Sequence, residues 1–299
     1  MGEITARMVK DLRECTGAGM MDCKRALAEA DGDVETAIDI LRTKGLAALA
    51  KKAGRATNEG VIGGVVTDAG HTGVLVEVNC ETDFVARNAD FRAFVNDVAR
   101  HIASAAPDDL GELFGQAYIG RPAVTVEHYL GEAVAKLGEN MGIARFARYG
   151  LSADAGGISV YIHGVGNIGV MVELSAGTPQ AAADELFGTV SKDIAMHIAA
   201  TAPVSVRRDQ VPADVVAHEM AIYRAQAVES GKPEQVQEKI AAGRLEKYFR
   251  EACLLEQPFV KNPDITVEQH LAAVAASLGS TLEVVRFTRY VLGETSSAS

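Results

Sequence analysis

Apolar residues recur at helical spacing three times within the first fifty positions. Met8, Val9 and Leu12 share a face behind Thr5, which can cap the helix. Cys23, Ala26, Leu27 and Ala30 make a second stripe. Val34, Ala37, Ile38 and Leu41 make a third behind a capping Asp33. Breaks fall at Thr16-Gly17-Ala18-Gly19 and Asp31-Gly32-Asp33. The pattern predicts a small three-helix domain over 1–50, then a polar, aperiodic linker over 51–59. From Gly60 the period shortens. VIGGVV (61–66), Asp68-Ala69-Gly70 and VLVEV (74–78) read as an antiparallel hairpin. A helix with Phe91, Phe94, Val95, Val98 and Ile102 on its buried face follows, and Pro107 comes soon after its end. A second helix is expected over 125–138. The strand IARFARY (143–149) alternates, placing Ile143, Arg145, Ala147 and Tyr149 on one face.

This order then recurs. Residues 73–107 and 169–203 align without a gap at an offset of 96, GVLVE answering GVMVE and HIASAAP answering HIAATAP. TVEHYLGEAVAKLG (125–138) answers TVEQHLAAVAASLG (266–279), and RFARY answers RFTRY, both at an offset of 141. The change of offset leaves 141 minus 96, or 45, extra residues between Pro203 and Thr266 of the second copy. Val216, Met220, Tyr223 and Ala227 form one stripe there and Val236, Ile240 and Leu245 another. A turn at Ser230-Gly231-Lys232-Pro233 between them predicts an inserted helical hairpin at about 212–253. Residues 110–124 match no other segment by this reading. The predicted fold is α+β: a three-helix (UBA-like) domain, then a duplicated core of antiparallel sheets with helices. The core divides into 60–150 and 151–292, followed by a disordered tail at 293–299.

The duplication also locates a candidate site. Two copies of one fold have nearly the same packing needs, so a feature of one copy alone is less demanded by folding. The first copy reads NCETDFVARN (79–88) where the second reads SAGTPQAAAD (175–184). This singles out Thr82, Asp83, Phe84, Val85 and Arg87. A structural alternative stands beside it. Thr82 or Asp83 can cap the following helix, and Phe84 falls on the stripe of Phe91 and Val95. Against a core role, Gln180 replaces Phe84 and Pro179 replaces Asp83 in the second copy. His163 is also copy-specific, its counterpart being Thr67.

Charge and motifs narrow the function classes. The net charge is −11 and the pI near 5.2, which gives no basic footprint for nucleic acid. MGEITARMVK has no apolar signal core, and no apolar run approaches the roughly 20 residues that span a bilayer. Cys15, Cys23, Cys80 and Cys253 form no CxxC pair and read as reduced thiols of a cytoplasmic protein. GVGNIG (164–169) fits the dinucleotide pattern, but a strand follows it rather than a helix, so it reads as a hairpin turn. No phosphate-binding G-x-x-x-x-G-K-[ST] and no local nucleophile motif occurs. His128, His218 and His270 have no partner at metal-ligand spacing. His101 and His197 lie near the end of equivalent helices, where a cation would favour the helix dipole, and a shared structural role is expected. An enzyme, a metal site and a cofactor are not expected.

LRECTGAGMMDCKRAL (12–27) and EVNCETDFVARNADF (77–91) closely resemble the two signature stretches of the bacterial elongation factor Ts family. The resemblance covers nearly the whole chain. It implies a guanine-nucleotide exchange factor for elongation factor Tu in translation, with no direct binding of nucleotide, nucleic acid or membrane. It implies that Asp83 and Phe84 intrude on the partner's magnesium and phosphate region, and that His163 presses on the partner near the nucleotide. Arg13, Met20, Met21 and Lys24 match the part of the N-terminal domain that grips the partner's nucleotide domain. At least one of the two methionines is expected in the helix core. Many family members continue into a C-terminal helix that touches the partner, whereas this chain stops at Ser299, so that contact is expected to be missing. The rival reading is a plain interaction protein for some other chain.

Overall fold

The computed structural model describes residues 4–16, 18–229, 231 and 233–294. Gly17, Ser230, Lys232 and 295–299, which belong to two expected turns and the expected tail, lie outside them. The first stripes become α1 (Ala6–Thr16), α2 (Met20–Glu29) and α3 (Val34–Lys52). They bury Val9, Leu12, Cys23, Ala26, Leu27, Ala37 and Leu41 against one another. Asp33 starts α3 by accepting from the Thr36 N–H at 2.7 Å. That helix outruns its apolar stripe to Lys52, leaving 53–58 irregular before the first strand.

The first repeat is built of β1 (Glu59–Thr67), β2 (Thr72–Cys80), α4 (Asp83–Ala86), α5 (Ala89–Ala105), α6 (Leu110–Gly115), α7 (Val126–Leu137) and β3 (Met141–Gly150). The second has β4 (Gly156–His163), β5 (Ile168–Ala176), α8 (Pro179–Ala182) and α9 (Glu185–Thr201). It continues with α10 (Ala213–Val228), α11 (Glu234–Ala252), β6 (Pro258–Phe259), β7 (Asn262–Thr266), α12 (Val267–Ser277) and β8 (Leu282–Val291). The antiparallel sheets run β1-β2-β3 and β4-β5-β8, with β6-β7 a small ribbon. The fold is α+β.

The central strand β2 is buried along its whole length because both faces are covered. Val74, Val76 and Val78 meet Phe91, Phe94, Val95, Val98 and Ile102 of α5. On the opposite face Ile62 and Leu75 meet Ile158 and Met171 of the second sheet. The layers are therefore helix, sheet, sheet, helix. The sheet–sheet contact is reciprocal, as in an isologous dimer. Arg145 lies 4.0 Å over the Tyr290 ring and Arg286 lies 4.0 Å over Tyr149. Arg145 donates to the Val291 carbonyl at 2.9 Å and Arg286 to that of Gly150 at 2.8 Å. Each arginine also pairs with a fully buried glutamate, Arg145 with Glu77 at 2.8 Å and Arg286 with Glu173 at 2.7 Å.

Three sequence readings change. A β-bulge opposite Glu77/Val78 inserts Ala144 unpaired, so Ile143 turns to the helix side while Ala147 and Tyr149 face the second sheet. The strand's single face is thus two. The unassigned stretch 110–124 is itself part of the repeat, at the offset of 141. Leu113 and Leu254 are both fully buried, and Tyr118 and Phe259 occupy equivalent core positions. The N–H of Val126 donates to Gln116 O, and that of Val267 to Gln257 O, both at 3.0 Å. Finally, His101 and His197 are not helix-end cations. Each is fully buried, with Nε2 against a glutamine Oε1 (Gln116 at 3.0 Å, Gln257 at 2.9 Å). Their Nδ1 atoms accept backbone N–H groups of Ile119 and Val260 at 3.3 and 3.2 Å. Burial lowers both pKa values despite the glutamine bonds, so the rings are neutral struts between helix and loop. The shared structural role holds; the charge does not.

Candidate functional site

The polar run 79–88 folds as a rigid corner. Thr82 is extended and its Oγ1 accepts the Val85 N–H, which starts the one-turn helix α4. In the second repeat Thr178 caps α8 in the same way through Ala181. Val85 is buried, as is its counterpart Ala181. Thr82 and Val85 are thus shared scaffold residues rather than copy-specific ones, because cap and core contact are needs of both repeats. The true difference points outward. Phe84 is 82% exposed, the most exposed large apolar residue among those described. It does not join the stripe of Phe91 and Val95, because the turn at Arg87-Asn88 separates α4 from α5 and resets the phase. Asp83 lies beside it, paired with Arg87 at 3.3 Å across one turn, the arginine exposed and the aspartate half-exposed. Such a pair is worth at most about 1 kcal/mol, so either charge is readily exchanged for an external partner.

His163 ends β4 at an exposed position, its Nδ1 2.9 Å from the Tyr161 hydroxyl. The turn after it crosses onto the first repeat. Gly166 adopts φ +109, and a Cβ there would lie 2.4 Å from Val61 Cγ1, so only glycine permits the approach. Its carbonyl accepts the Ile62 N–H at 2.8 Å. Arg92, in the first turn of α5, donates to the Val165 carbonyl at 3.2 Å. The structure therefore ties the His163 turn to the helix that follows the Asp83–Phe84 corner.

In the N-terminal helices, Arg13 and Met20 line one open depression with Lys10 and Lys136, and Lys136 pairs with Asp90 at the start of α5 at 3.0 Å. Met20 and Met21 are 57% and 64% exposed, so neither is a core residue. Cys23, Ala26 and Leu27 fill that role instead. Lys24 is exposed on the same helix, outside the depression. The helices dock on the core where Gly45 of α3 crosses Gly131 of α7. A Cβ on Gly131 would stand 2.9 Å from the Gly45 carbonyl carbon. Arg121 adds a 3.3 Å bond to Thr16 O, and Lys52 one of 3.3 Å to Val134 O.

Sequence reasoning missed the residues behind the corner. Glu139 receives the Thr82 N–H at 3.0 Å and the Thr82 hydroxyl at 2.6 Å. Glu81 accepts the Asn140 N–H at 2.6 Å, a bond that holds its carboxyl below the usual range. At the offset of 141 the second repeat has Ser280 and Thr281 in these places, so the copy comparison already carried the signal. Among the described residues no group of three or more His, Cys, Asp or Glu is placed to hold a metal, and no helix is long and apolar enough to cross a membrane.

The family model described as "Elongation factor TS" matches residues 81–294, from the corner to the end of the second repeat. The chain belongs to the elongation factor Ts family. It is 49% identical to elongation factor Ts of Trichlorobacter lovleyi over 291 residues, covering 97% of this chain and 93% of that one. Identity to the Clostridioides difficile protein is 47% over 294 residues (98% and 94%), and to that of Syntrophotalea carbinolica 48% over 292 residues (98% and 94%). The likeness to elongation factor Ts thus includes the N-terminal helices that precede the matched family region. By family the chain is a translation elongation factor of protein biosynthesis.

Proposed function

We propose that this chain is a guanine-nucleotide exchange factor that binds elongation factor Tu–GDP and promotes GDP release by disturbing the magnesium and phosphate site. The observation that carries the reading is the phenyl ring of Phe84, held in water on a capped, core-anchored turn in one repeat only. An exposed ring on a rigid turn is suited to enter another molecule.

Exchange makes and breaks no covalent bond. The factor binds the nucleotide-free partner more tightly than the loaded one, and by linkage it weakens the nucleotide by the same factor. A thousandfold effect needs about 4 kcal/mol. Burying the Phe84 ring supplies about 2 kcal/mol, so other contacts must share the load. In this reading Asp83 leaves Arg87 for a polar or cationic group near the magnesium, and His163 presses beside it. Thr82 and Val85 hold the corner. Arg13, Met20, Met21 and Lys24 grip the partner's nucleotide domain from the N-terminal helices. The reading requires no cofactor of the chain's own and places it in the cytoplasm.

The test follows release of a fluorescent GDP from purified elongation factor Tu. The chain is expected to accelerate release, and Asp83→Ala and Phe84→Ala each to slow it, the latter by roughly thirtyfold for about 2 kcal/mol, with unchanged melting. Binding without acceleration would favour a plain interaction protein. Wild-type stimulation by both variants would remove the corner from the mechanism.

A further inference from the structure

We propose that Glu139 is a positioning residue that locks the Asp83–Phe84 corner in its presenting geometry; the inference rests on the exchange reading above. Each polar group of Thr82 has a partner. Its N–H and hydroxyl both go to the Glu139 carboxylate at 3.0 and 2.6 Å. Its hydroxyl oxygen accepts the Val85 N–H, and its carbonyl accepts the Ala86 N–H at 3.2 Å. The Cys80 thiol also reaches that carbonyl at 3.3 Å. Burial, and then the nearby Glu139 charge, push Cys80 up to about 12, so it stays a protonated donor. Asn140 completes the node, donating its N–H to Glu81 at 2.6 Å and its side-chain N–H to the Arg55 carbonyl at 2.8 Å. Arg55 in turn pairs with Glu81 at 3.3 Å.

The equivalent corner of the second repeat has the same threonine cap without this node. Ala176, Gly177, Ser280 and Thr281 stand where Cys80, Glu81, Glu139 and Asn140 stand in the first. The Ser280 hydroxyl there is buried without a hydrogen-bond partner, and Gly177 N–H bonds the Thr281 carbonyl instead. The corner therefore folds without a carboxylate behind its cap. The carboxylate clamp appears only where the corner carries an exposed aromatic ring. An intruding side chain transmits force only if its base does not yield, and a carboxylate gripping the base residue twice supplies that stiffness. Because α7 ends two residues before Glu139, the clamp also joins the corner to the helix on which the N-terminal helices dock.

The test uses the full chain and three variants: Glu139→Ser, which installs the second repeat's residue; Glu139→Gln, which keeps one acceptor for the hydroxyl; and Phe84→Ala. Melting temperature checks the fold. In the free protein, hydrogen exchange of the amides of Val85, Ala86, Arg87 and Asn88 is expected to quicken by roughly tenfold or more in Glu139→Ser, the loss expected for a bond to a charged group. It should quicken less in Glu139→Gln. GDP release from elongation factor Tu at saturating factor should slow in the same order. Adding Glu139→Ser to Phe84→Ala should slow release by less than about twofold more, since both act through one element. Unchanged exchange of these amides overturns the clamp. So does wild-type GDP release by Glu139→Ser when Phe84→Ala is slow. Wild-type release by Phe84→Ala itself takes the ring out of the mechanism and this inference with it, whereas no acceleration by the unsubstituted chain removes the exchange reading.

Discussion

The crossing of α3 and α7 decides whether the N-terminal helices and the core act as one body. In Gly131→Ala the new Cβ would meet the Gly45 carbonyl carbon at 2.9 Å and its oxygen at 3.0 Å, both backbone atoms that no rotamer moves. The helices must separate by about half an ångström, an overpacking cost of about 1–3 kcal/mol. Alanine also favours helix by about 1 kcal/mol over glycine. The two effects act on different equilibria. Propensity steadies α7 whether or not the N-terminal helices are docked, so it cancels in docking, whereas the clash exists only in the docked state. The 3.3 Å bonds Arg121–Thr16 and Lys52–Val134 would stretch with the separation. With about 2 kcal/mol lost, the docked fraction falls roughly thirtyfold relative to the undocked one. Gly45→Ala is gentler, its Cβ meeting Gly131 at 3.3 Å. The assay is hydrogen exchange across α3 together with titration of nucleotide-free elongation factor Tu. Gly131→Ala should quicken α3 exchange and weaken binding while the maximal release rate stays near wild type. Unaltered α3 exchange and affinity would show that this crossing does not hold the N-terminal helices.

Two further outcomes concern the core. Glu77→Ala removes the buried carboxylate of Arg145 and leaves it the half-exposed Glu294 at 3.6 Å, so a loss at the lower end of about 3–5 kcal/mol in urea unfolding is expected; a loss under about 1 kcal/mol would mean that Glu294 and water already compensate the arginine. His101 and His197 have folded pKa values below the unfolded value of about 6.5. The unfolded chain then binds more protons, so their stabilisation is complete above that value and declines as pH falls through it toward the folded pKa. Urea midpoints should drop between pH 7 and 5, and the drop should shrink in a His101→Gln, His197→Gln variant. An unchanged drop in that variant would assign the acid sensitivity to other groups.

Period and repetition made most of the fold legible. Helices α1 to α3 declare themselves because each buries one face and so keeps a strict spacing, and both sheets because their central strands, covered on both faces, read as short apolar runs bounded by turns. What stayed hidden depended on pairing between distant positions. The bulge at Ala144 becomes countable only once Glu77 is matched to Arg145. The neutrality of the histidines comes from burial beneath loops 18 and 63 residues away, whose Ile119 and Val260 N–H groups their Nδ1 atoms accept. The repeat within 110–124 rests on a few spaced residues, Leu113, Gln116 and Tyr118, in a stretch too irregular to show a period. At the candidate site, copy comparison found Asp83 and Phe84. It took in Thr82 and Val85 as well, which serve the fold in both repeats, because a whole run was treated as divergent although Thr178 matches Thr82. It also stopped before Glu139, which lies 57 residues along the chain from the threonine it holds.

The mirrored Arg145–Tyr290 and Arg286–Tyr149 contacts give the molecule the seam of a two-subunit assembly inside a single polypeptide. Two identical subunits share one gene, so any new side chain appears on both and must be tolerated twice. Once joined end to end, the halves inherit separately. One surface is free to grow an aromatic corner while its twin acquires a histidine of its own at a different place, and the seam keeps both in register throughout.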